Sequence, residues 1–413
     1  MKKGGKFICN SIIFEVAQQT KLSPMSKITL FAQIIGKLDS GKFKKLVAKH
    51  QTDKHQKGFS SWTHLVSMLF CQFAKSQSVR DISNGLRSAT GNLNHLGVDR
   101  APSKSTISYQ NKHRSYEVFK DYYFELLQSL GQQAGFKQVK FKIKSKIFLL
   151  DSTTISLCLS LFDWAKYKTA KGAVKMHTLL DFDGNLPAYV NITDGKTADN
   201  KGAYDIPLHK GSVIVADRFY NDFALLNVWD SKGVFFVVRH KENIQYTVIK
   251  ENELPENKHP HLLKDEIIEL KNESSKTKYP KQLRRIAIWD EENKQTIELM
   301  TNHFKWVANT IGELYKSRWN IEIFFREIKQ LLHIKTFIGT SENAVLIQIW
   351  TALITILVLK ALKAMAKFGW HLSNLVAFIR LNLFVKIGLQ LWLDKPFEEH
   401  IETDKISPQG VLF

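Results

Sequence analysis

Residues Lys146–Ile155 read K-I-F-L-L-D-S-T-T-I, apolar and β-branched side chains around a single carboxylate, Asp151. A short run of that composition reads as a buried strand. Burying an unpaired acid is expensive, so Asp151 either caps a turn or belongs to a site. Ser212–Tyr220, S-V-I-V-A-D-R-F-Y, repeats the pattern, with Asp217 directly after its apolar part. Two such strands in a chain of mixed α/β pattern make a first candidate constellation.

A third piece lies farther on. Between Tyr315 and Lys329 the chain reads Y-K-S-R-W-N-I-E-I-F-F-R-E-I-K. On a helix, at about 100° per residue, Tyr315, Arg318, Glu322 and Lys329 fall within a sector of roughly 60°. They spread along about 20 Å of that face. Ile321, Phe324, Phe325, Ile328, Leu331 and Leu332 fill the neighbouring sector, as an amphipathic core helix requires. The acid can hold a metal ion while the two cations hold phosphates. The same stripe also reads as a solvated face with ordinary spaced ion pairs.

Asp151, Asp217 and Glu322, with Tyr315, Arg318 and Lys329 at the spacing Y-x2-R-x3-E-x6-K, resemble the DDE transposases of the insertion-sequence-four family. L-L-D-S-T-T-I and I-V-A-D-R-F-Y are similar to that family's first and second catalytic blocks, and the resemblance runs from about residue 26 to 390. It implies an α/β fold: a ribonuclease-H-like catalytic core with a β-rich insertion, preceded by an all-α DNA-binding domain and followed by C-terminal helices. The implied activity is transposition, with metal-dependent cleavage at the ends of an insertion sequence and strand transfer, by a cut-and-paste route. Asp151, Asp217 and Glu322 would be both the catalytic acids and the ligands of two Mg²⁺ ions, with Mn²⁺ as a substitute. Tyr315, Arg318 and Lys329 would contact DNA. The expected partners are double-stranded DNA, as transposon ends and as target, and a second copy of the chain in a homodimeric DNA complex. Two other classes stay open: a ribonuclease-H-like nuclease that cuts without joining, and an inactive DNA-binding relative.

Composition points to the same partner. The 413 residues carry 59 Lys and Arg against 39 Asp and Glu, a net charge of +20, and the pI is near 9.6. The basic residues are spread along the chain, which suits a long track for a duplex. Binding of that kind weakens steeply with salt, because each neutralised phosphate releases counterions. No basic amphipathic segment suggests a membrane surface. The most apolar stretch, Val345–Leu359, contains Gln348 and runs about fifteen residues, short of the roughly twenty that span a bilayer, so it reads as a buried helix. Cys9, Cys71 and Cys158 lie far apart with no C-x-x-C, against a zinc site or a disulfide framework. That fits a reducing cytosol, and the resemblance implies a prokaryotic cytoplasm and association with the nucleoid. The apolar start of the chain is broken by Asn10, Ser11 and Glu15, unlike a signal peptide.

The expected organisation has four parts. Residues 1–24 read as a poorly structured extension and 25–135 as a helical DNA-binding domain. Residues 136–340 read as the catalytic domain, with the insertion at about 240–309, and 341–413 as a C-terminal helical region. In the first helical stretch, W-T-H-L-V-S-M-L-F-C-Q-F-A and S-V-R-D-I-S-N-G-L-R predict helices. A further helix opens near Ser103 after Pro102. It offers Lys104, Ser105, Ser108, Asn111, Lys112 and Arg114 to phosphates and base edges, alone or as part of a helix-turn-helix.

In the catalytic domain, two strands flank the turn Asp183-Gly184-Asn185. Thr197–Leu208 can supply a crossover helix, Asp222–Gly233 a helix, and Val234–His240 a fifth strand. From His240 to about Asn309, short strands alternate with polar loops, among them Asn272–Lys281. That stretch accounts for the hundred or so residues between Asp217 and Glu322, far more than one connection needs. Lys171, Lys175 and His177 are weaker candidates for DNA contact, and His259 and His261 read as loop residues. Relatives that cut the second strand through a hairpin need an aromatic or apolar pocket for a flipped base. Trp289, Trp306 and Trp319 are the candidates here.

Overall fold

Side-chain caps start the helices that precede the first strand. α1 (Leu30–Ile35), α2 (Ser40–His50), α3 (Ser61–Ala74), α4 (Val79–Ser88) and α5 (Lys104–His113) follow Thr29, Asp39, Ser60, Ser78 and Ser103. Each of those side chains accepts an otherwise orphaned first-turn N–H. α6 (Glu117–Gly131) completes this series. The computed structural model describes residues 26–89, 91–131, 145–157, 164, 166–168, 171–254, 261–331 and 337–398. The extension 1–24, Cys9, Cys158, His259, Leu332 and the side chain of Lys171 lie outside the described residues.

The strands are β1 (Ile147–Leu157), β2 (Lys166–Lys168), β3 (Lys171–Asp181), β4 (Leu186–Asp194), β5 (Val213–Ala216), β6 (Phe235–Arg239), β7 (Tyr246–Glu251), β8 (Leu262–Leu270), β9 (Leu283–Asp290) and β10 (Gln295–Thr301). They form one ten-stranded sheet in the order β2-β3-β1-β5-β6-β10-β9-β8-β7, with β4 also on β3. β3 runs antiparallel to β1 and to β4. β5 and β6 run parallel to β1 and to each other. The connection from β5 to β6 is α7 (Phe223–Ser231), ended by Gly233 at φ +69°. β7 to β10 form antiparallel pairs and extend the sheet from β6.

Alternation along the central strands sends odd and even residues to opposite faces. Ile147, Leu149, Val213, Val215 and Val237 join a core that also contains Ile311, Leu314, Ile321 and Phe324. Phe148, Leu150, Ile214, Ala216, Phe236 and Val238 join a second core with Tyr220, Leu225, Leu226 and Trp229. The first face is covered by α9 (Ala308–Ser317) and α10 (Trp319–Leu331), the second by α7.

Beyond the sheet lie α11 (Glu342–Met365), α12 (Leu372–Asn382) and α13 (Leu389–Asp394). α11 is apolar all round, as a helix buried on every side must be. Its 24 residues exceed the apolar run read from the sequence and are long enough to cross a membrane, but 83% of the most apolar window is buried within the fold. α3, α5, α6 and α12 surround it. Gln33 donates to the Ile387 carbonyl at 2.7 Å and accepts from Leu389 N at 2.8 Å, and Asn343 donates to the Arg114 carbonyl at 2.7 Å. The first and last described helices therefore share one core.

Three elements differ from the sequence expectation. Thr197–Leu208 forms only a 3₁₀ turn at Lys201–Ala203: Asp194 takes the Thr197 N–H and hydroxyl in a local bond that competes with a helix, while the side chains of Asp199 and Asn200 bond the distant Ser152 and Asp222. The polar loop Asn272–Lys281 contains a short helix, α8 (Glu273–Lys278), capped by Asn272. The stretch Tyr315–Lys329 is two helices meeting at Arg318. Ser317 Oγ takes the Leu314 carbonyl at 2.5 Å, the acceptor that Arg318 N would use in an α-helix, and Arg318 N bonds Tyr315 O at 3.0 Å instead.

Candidate active site

The site begins where two parallel strands part. Leu150 of β1 pairs with Ala216, the last residue of β5. β1 continues to Leu157 against β3, whereas Asp217 turns into a 3₁₀ turn at Arg218–Tyr220. Asp151 and Asp217 are thus the first residues past the last parallel pair, on strands about 4.8 Å apart. Carboxyl ends of parallel strands are where sheets of this kind hold ligands. One oxygen of Asp217, Oδ1, is buried with no hydrogen-bond partner.

α10 brings the third acid to the same place. Arg318 Nη2 donates to Glu322 Oε1 at 2.7 Å, and its Nη1 stands 3.5 Å from Asp151 Oδ2. A single guanidinium, 13% exposed, therefore bridges two of the three acids. Its carbon lies 5.8 Å from the centre of the Tyr315 ring. Lys329 Nζ donates to the Thr154 carbonyl of β1 at 2.9 Å. Between α10 and β1 opens a cleft of about 410 Å³, lined by Asp151, Thr153, Glu322, Arg326, Lys329 and Gln330 among others. Asp217 is not in that lining and stands on the adjoining strand end.

The electrostatics follow from burial. Asp151 is pushed up to about 6, first by desolvation and then by the charges of Asp217 and Glu322, against the Ser152 N–H and Arg318. Burial also raises the Tyr315 phenol. For Arg318, burial opposes the charge, but Tyr315 and Glu322 more than offset it and hold the guanidinium above its ordinary value. Crowded carboxylates with an orphaned buried oxygen are what a hard divalent cation relieves, since such ions take oxygen ligands. The donor set fits a group of that kind. Among the described residues no three His, Cys, Asp or Glu side chains already converge to hold an ion, and Arg318 neutralises Asp151 and Glu322 meanwhile.

Asp151, Glu322 and Lys329 thus meet around one cleft, with Arg318 bridging the two acids and Asp217 on the adjoining strand end. Tyr315 lies behind Arg318, 9% exposed. Sequence reasoning missed Arg326, although it lies within about 40° of Glu322 on the same helical face. Ser152 and Asp199 were missed as well; Ser152 carried only its place after Asp151 as a signal. Trp319 and Trp289 are exposed, whereas Trp306 stacks on His303 at 3.8 Å.

Two groups offered to DNA on α5 have other duties. Asn111 is buried with Oδ1 2.7 Å from His64 Nε2, and Arg114 is buried donating to Phe59 O at 2.7 Å and Ser60 O at 3.1 Å. Lys104, Ser105, Ser108 and Lys112 remain exposed. Residues 89–103 separate α4 from α5, not the three- or four-residue turn of a helix-turn-helix. His177 is a buried strand-face residue, lowered to about 4 by burial, with Nε2 3.0 Å from Thr193 Oγ1.

Comparison with known sequences completes the picture. The family described as Transposase DDE domain matches residues 142–358, and one described as a domain of unknown function, DUF4372, matches residues 26–99. A Sinorhizobium fredii protein named as a transposase, y4zB, is 30% identical over 262 residues, 63% of this chain and 71% of its own. A Geobacillus stearothermophilus protein named for insertion sequence element IS5377 is 28% identical over 282 residues, 67% and 72% of the two chains. One from Synechocystis, named for insertion sequence element IS4SA, is 25% identical over 292 residues, 70% and 80%.

Proposed function

The chain belongs to the DDE transposase family and is a DNA transposase, and from that premise we propose that Asp151, Asp217 and Glu322 are its catalytic acids. One observation carries this reading: Asp151 and Asp217 leave adjacent parallel strands side by side, and α10 brings Glu322 to Asp151 across one guanidinium. The strand order β4-β3-β1-β5-β6, three antiparallel strands and then two parallel ones, supports a ribonuclease-H-like core. In this reading β7 to β10 are an insertion between the second and third acids, within a catalytic domain of residues 136–340. Residues 25–135 are the helical DNA-binding domain and 341–413 the C-terminal helical region.

Asp151, Asp217 and Glu322 would hold the two Mg²⁺ ions, or Mn²⁺. Bound there, the metal supplies Lewis acidity for activating water and stabilising the leaving 3′-oxygen. The chain's own residues do the positioning. Arg318 presents a planar fork that suits phosphate as well as carboxylate, and Lys329 a point charge now resting on a backbone carbonyl. Tyr315, buried behind Arg318, orients that guanidinium rather than meeting DNA directly. The reaction is cleavage at the element's ends and attack of the freed 3′-hydroxyl on target DNA, a cut-and-paste route run by a homodimer in a prokaryotic cytoplasm.

The test is cleavage of an end-labelled duplex carrying the element's ends, in Mg²⁺. Alanine at Asp151, Asp217 or Glu322 abolishes cleavage and strand transfer and leaves end binding nearly intact. Near-normal cleavage by Asp217→Ala overturns the reading.

A further inference from the structure

Behind the sheet, on the face opposite α10, a loop touches β1 beside Asp151 and the segment that follows Asp217. Ser152 follows Asp151 and points to that other face. Its Oγ donates to Asp199 Oδ1 at 2.5 Å. Asp199 is held in turn by Lys175 Nζ at 3.0 Å, whose ammonium also donates to the Thr197 carbonyl at 2.7 Å. The next residue, Asn200, donates from Nδ2 to Asp222 Oδ2 at 2.7 Å. Asp222 caps α7, accepting from Ala224 N at 3.0 Å, and directly follows Asn221, which ends the short turn that starts at Asp217.

Two adjacent residues of one loop thus grip the neighbour of Asp151 and the residue just past the Asp217 turn. The loop is seated closely. A Cβ at Gly202 would meet the His177 imidazole at 2.7 Å, and His177 stands directly opposite Ser152 in the β1–β3 register. Tyr220 is buried nearby, its phenol raised well above the ordinary value by burial and then by Asp151 and Asp199.

We infer that Asp199 and Asn200 form a strap that fixes the spacing of Asp151 and Asp217, with Asp199 a positioning residue acting through Ser152. The inference rests on the reading of Asp151 and Asp217 as catalytic. Hydrogen-bonded lattices of this kind hold a reacting constellation to within about 0.5 Å. Loosening such an outer contact lowers activity by about 10- to 100-fold.

The experiment is a double-mutant cycle on the full chain, with Ser152→Ala, Asp199→Ala and the double variant, read by cleavage of labelled end duplex. End binding in EDTA and melting temperature are measured alongside. If the strap acts as described, each single variant slows cleavage by about 10-fold or more and the double variant slows it no further. Asp199→Asn, which keeps an acceptor for Ser152, recovers most of the rate, and end binding stays near wild type. Additive losses overturn the inference. So does a Ser152→Ala protein that cleaves normally, even where Asp199→Ala fails to fold. Asp151→Ala, run beside them, separates the two readings: if it is dead while Ser152→Ala is normal, only the strap fails, and if it cleaves, the catalytic assignment fails.

Discussion

Acidic side chains sit in two halves of the same sheet, buried in one and half-buried in the other, and are treated in opposite ways. In the antiparallel half, Asp265 and Glu266 of β8 face Arg284 and Arg285 of β9. Asp265 receives two bonds from Arg284, at 2.8 and 2.6 Å, and Glu266 receives one from Arg285 at 2.5 Å. Arg285 also binds Glu298, and Arg284 donates to the carbonyls of His303, Phe304 and Trp306, the segment that leads into α9. At the parallel strands, Asp217 keeps an oxygen without a partner and Asp151 shares one guanidinium with Glu322 at a looser 3.5 Å. Satisfied buried ions lock a structure, and breaking one is costly. Under-satisfied ones are a store of unfavourable energy that a ligand can release, which is why perturbed acids gather at functional sites.

The largest effect expected from this contrast is at Asp217. Asp217→Asn should reduce end cleavage by three orders of magnitude or so, an effect on the scale of lost charge stabilisation in the transition state, and leave the melting temperature unchanged or higher. A clear fall in melting temperature would put Asp217 in the same class as Asp265 and break the comparison.

Asp265→Ala is the converse. It leaves Arg284 buried without its carboxylate and should cost about 3–5 kcal/mol of stability, measured by urea denaturation. Any loss of cleavage should follow the loss of folded protein. Were Asp265→Ala as stable as wild type yet inactive, the antiparallel half would carry part of the chemistry.

Acid should reach the two halves differently. His303, beside the Arg284 clamp, is lowered to about 4, by burial first and then by the Arg284 charge. Its unfolded form titrates near 6.5. The unfolded chain therefore takes up a proton first, and this contribution to stability is complete above about 6.5 and is lost as pH falls toward 4. Melting of wild type between pH 7.5 and 4.5 should fall more steeply than that of His303→Gln. Parallel curves would show that His303 is not responsible.

Much of this was legible in the sequence because it depends on local pattern. β1 and β5 form where apolar runs meet Asp151 and Asp217, and β3 and β4 flank the turn at Asp183 that the sequence predicts. Most of what stayed hidden depends on distant partners. Asn111 and Arg114 sit in a polar, helix-like pattern that reads as surface, and only His64, Phe59, Ser60 and Asn343 reveal them as interior. The break at Arg318 turns on which carbonyl the Ser317 hydroxyl takes, a choice that periodicity cannot express. The joining of α1 to α13 and of Ser152 to Asp199 likewise spans separations that no window along the chain samples.

The smallest expected effect sharpens the same contrast with a cation. Arg285 is clamped by two acids, whereas Arg326 stands exposed on the lining of the cleft and meets no acid among the described residues. Glu322 lies one helical turn before it, at the spacing that usually pairs, yet Glu322 is taken by Arg318. An exposed guanidinium next to Lys329 at the mouth of a site that receives a polyanion is suited to one phosphate. Arg326→Ala should therefore weaken end binding modestly and leave melting unchanged. The slope of log affinity against log salt should become shallower by about 1, the signature of one lost phosphate contact. Arg285→Ala should show the reverse, an unchanged salt slope with a lower melting temperature. If Arg326→Ala leaves the slope where it was, its exposed charge has no part in holding DNA.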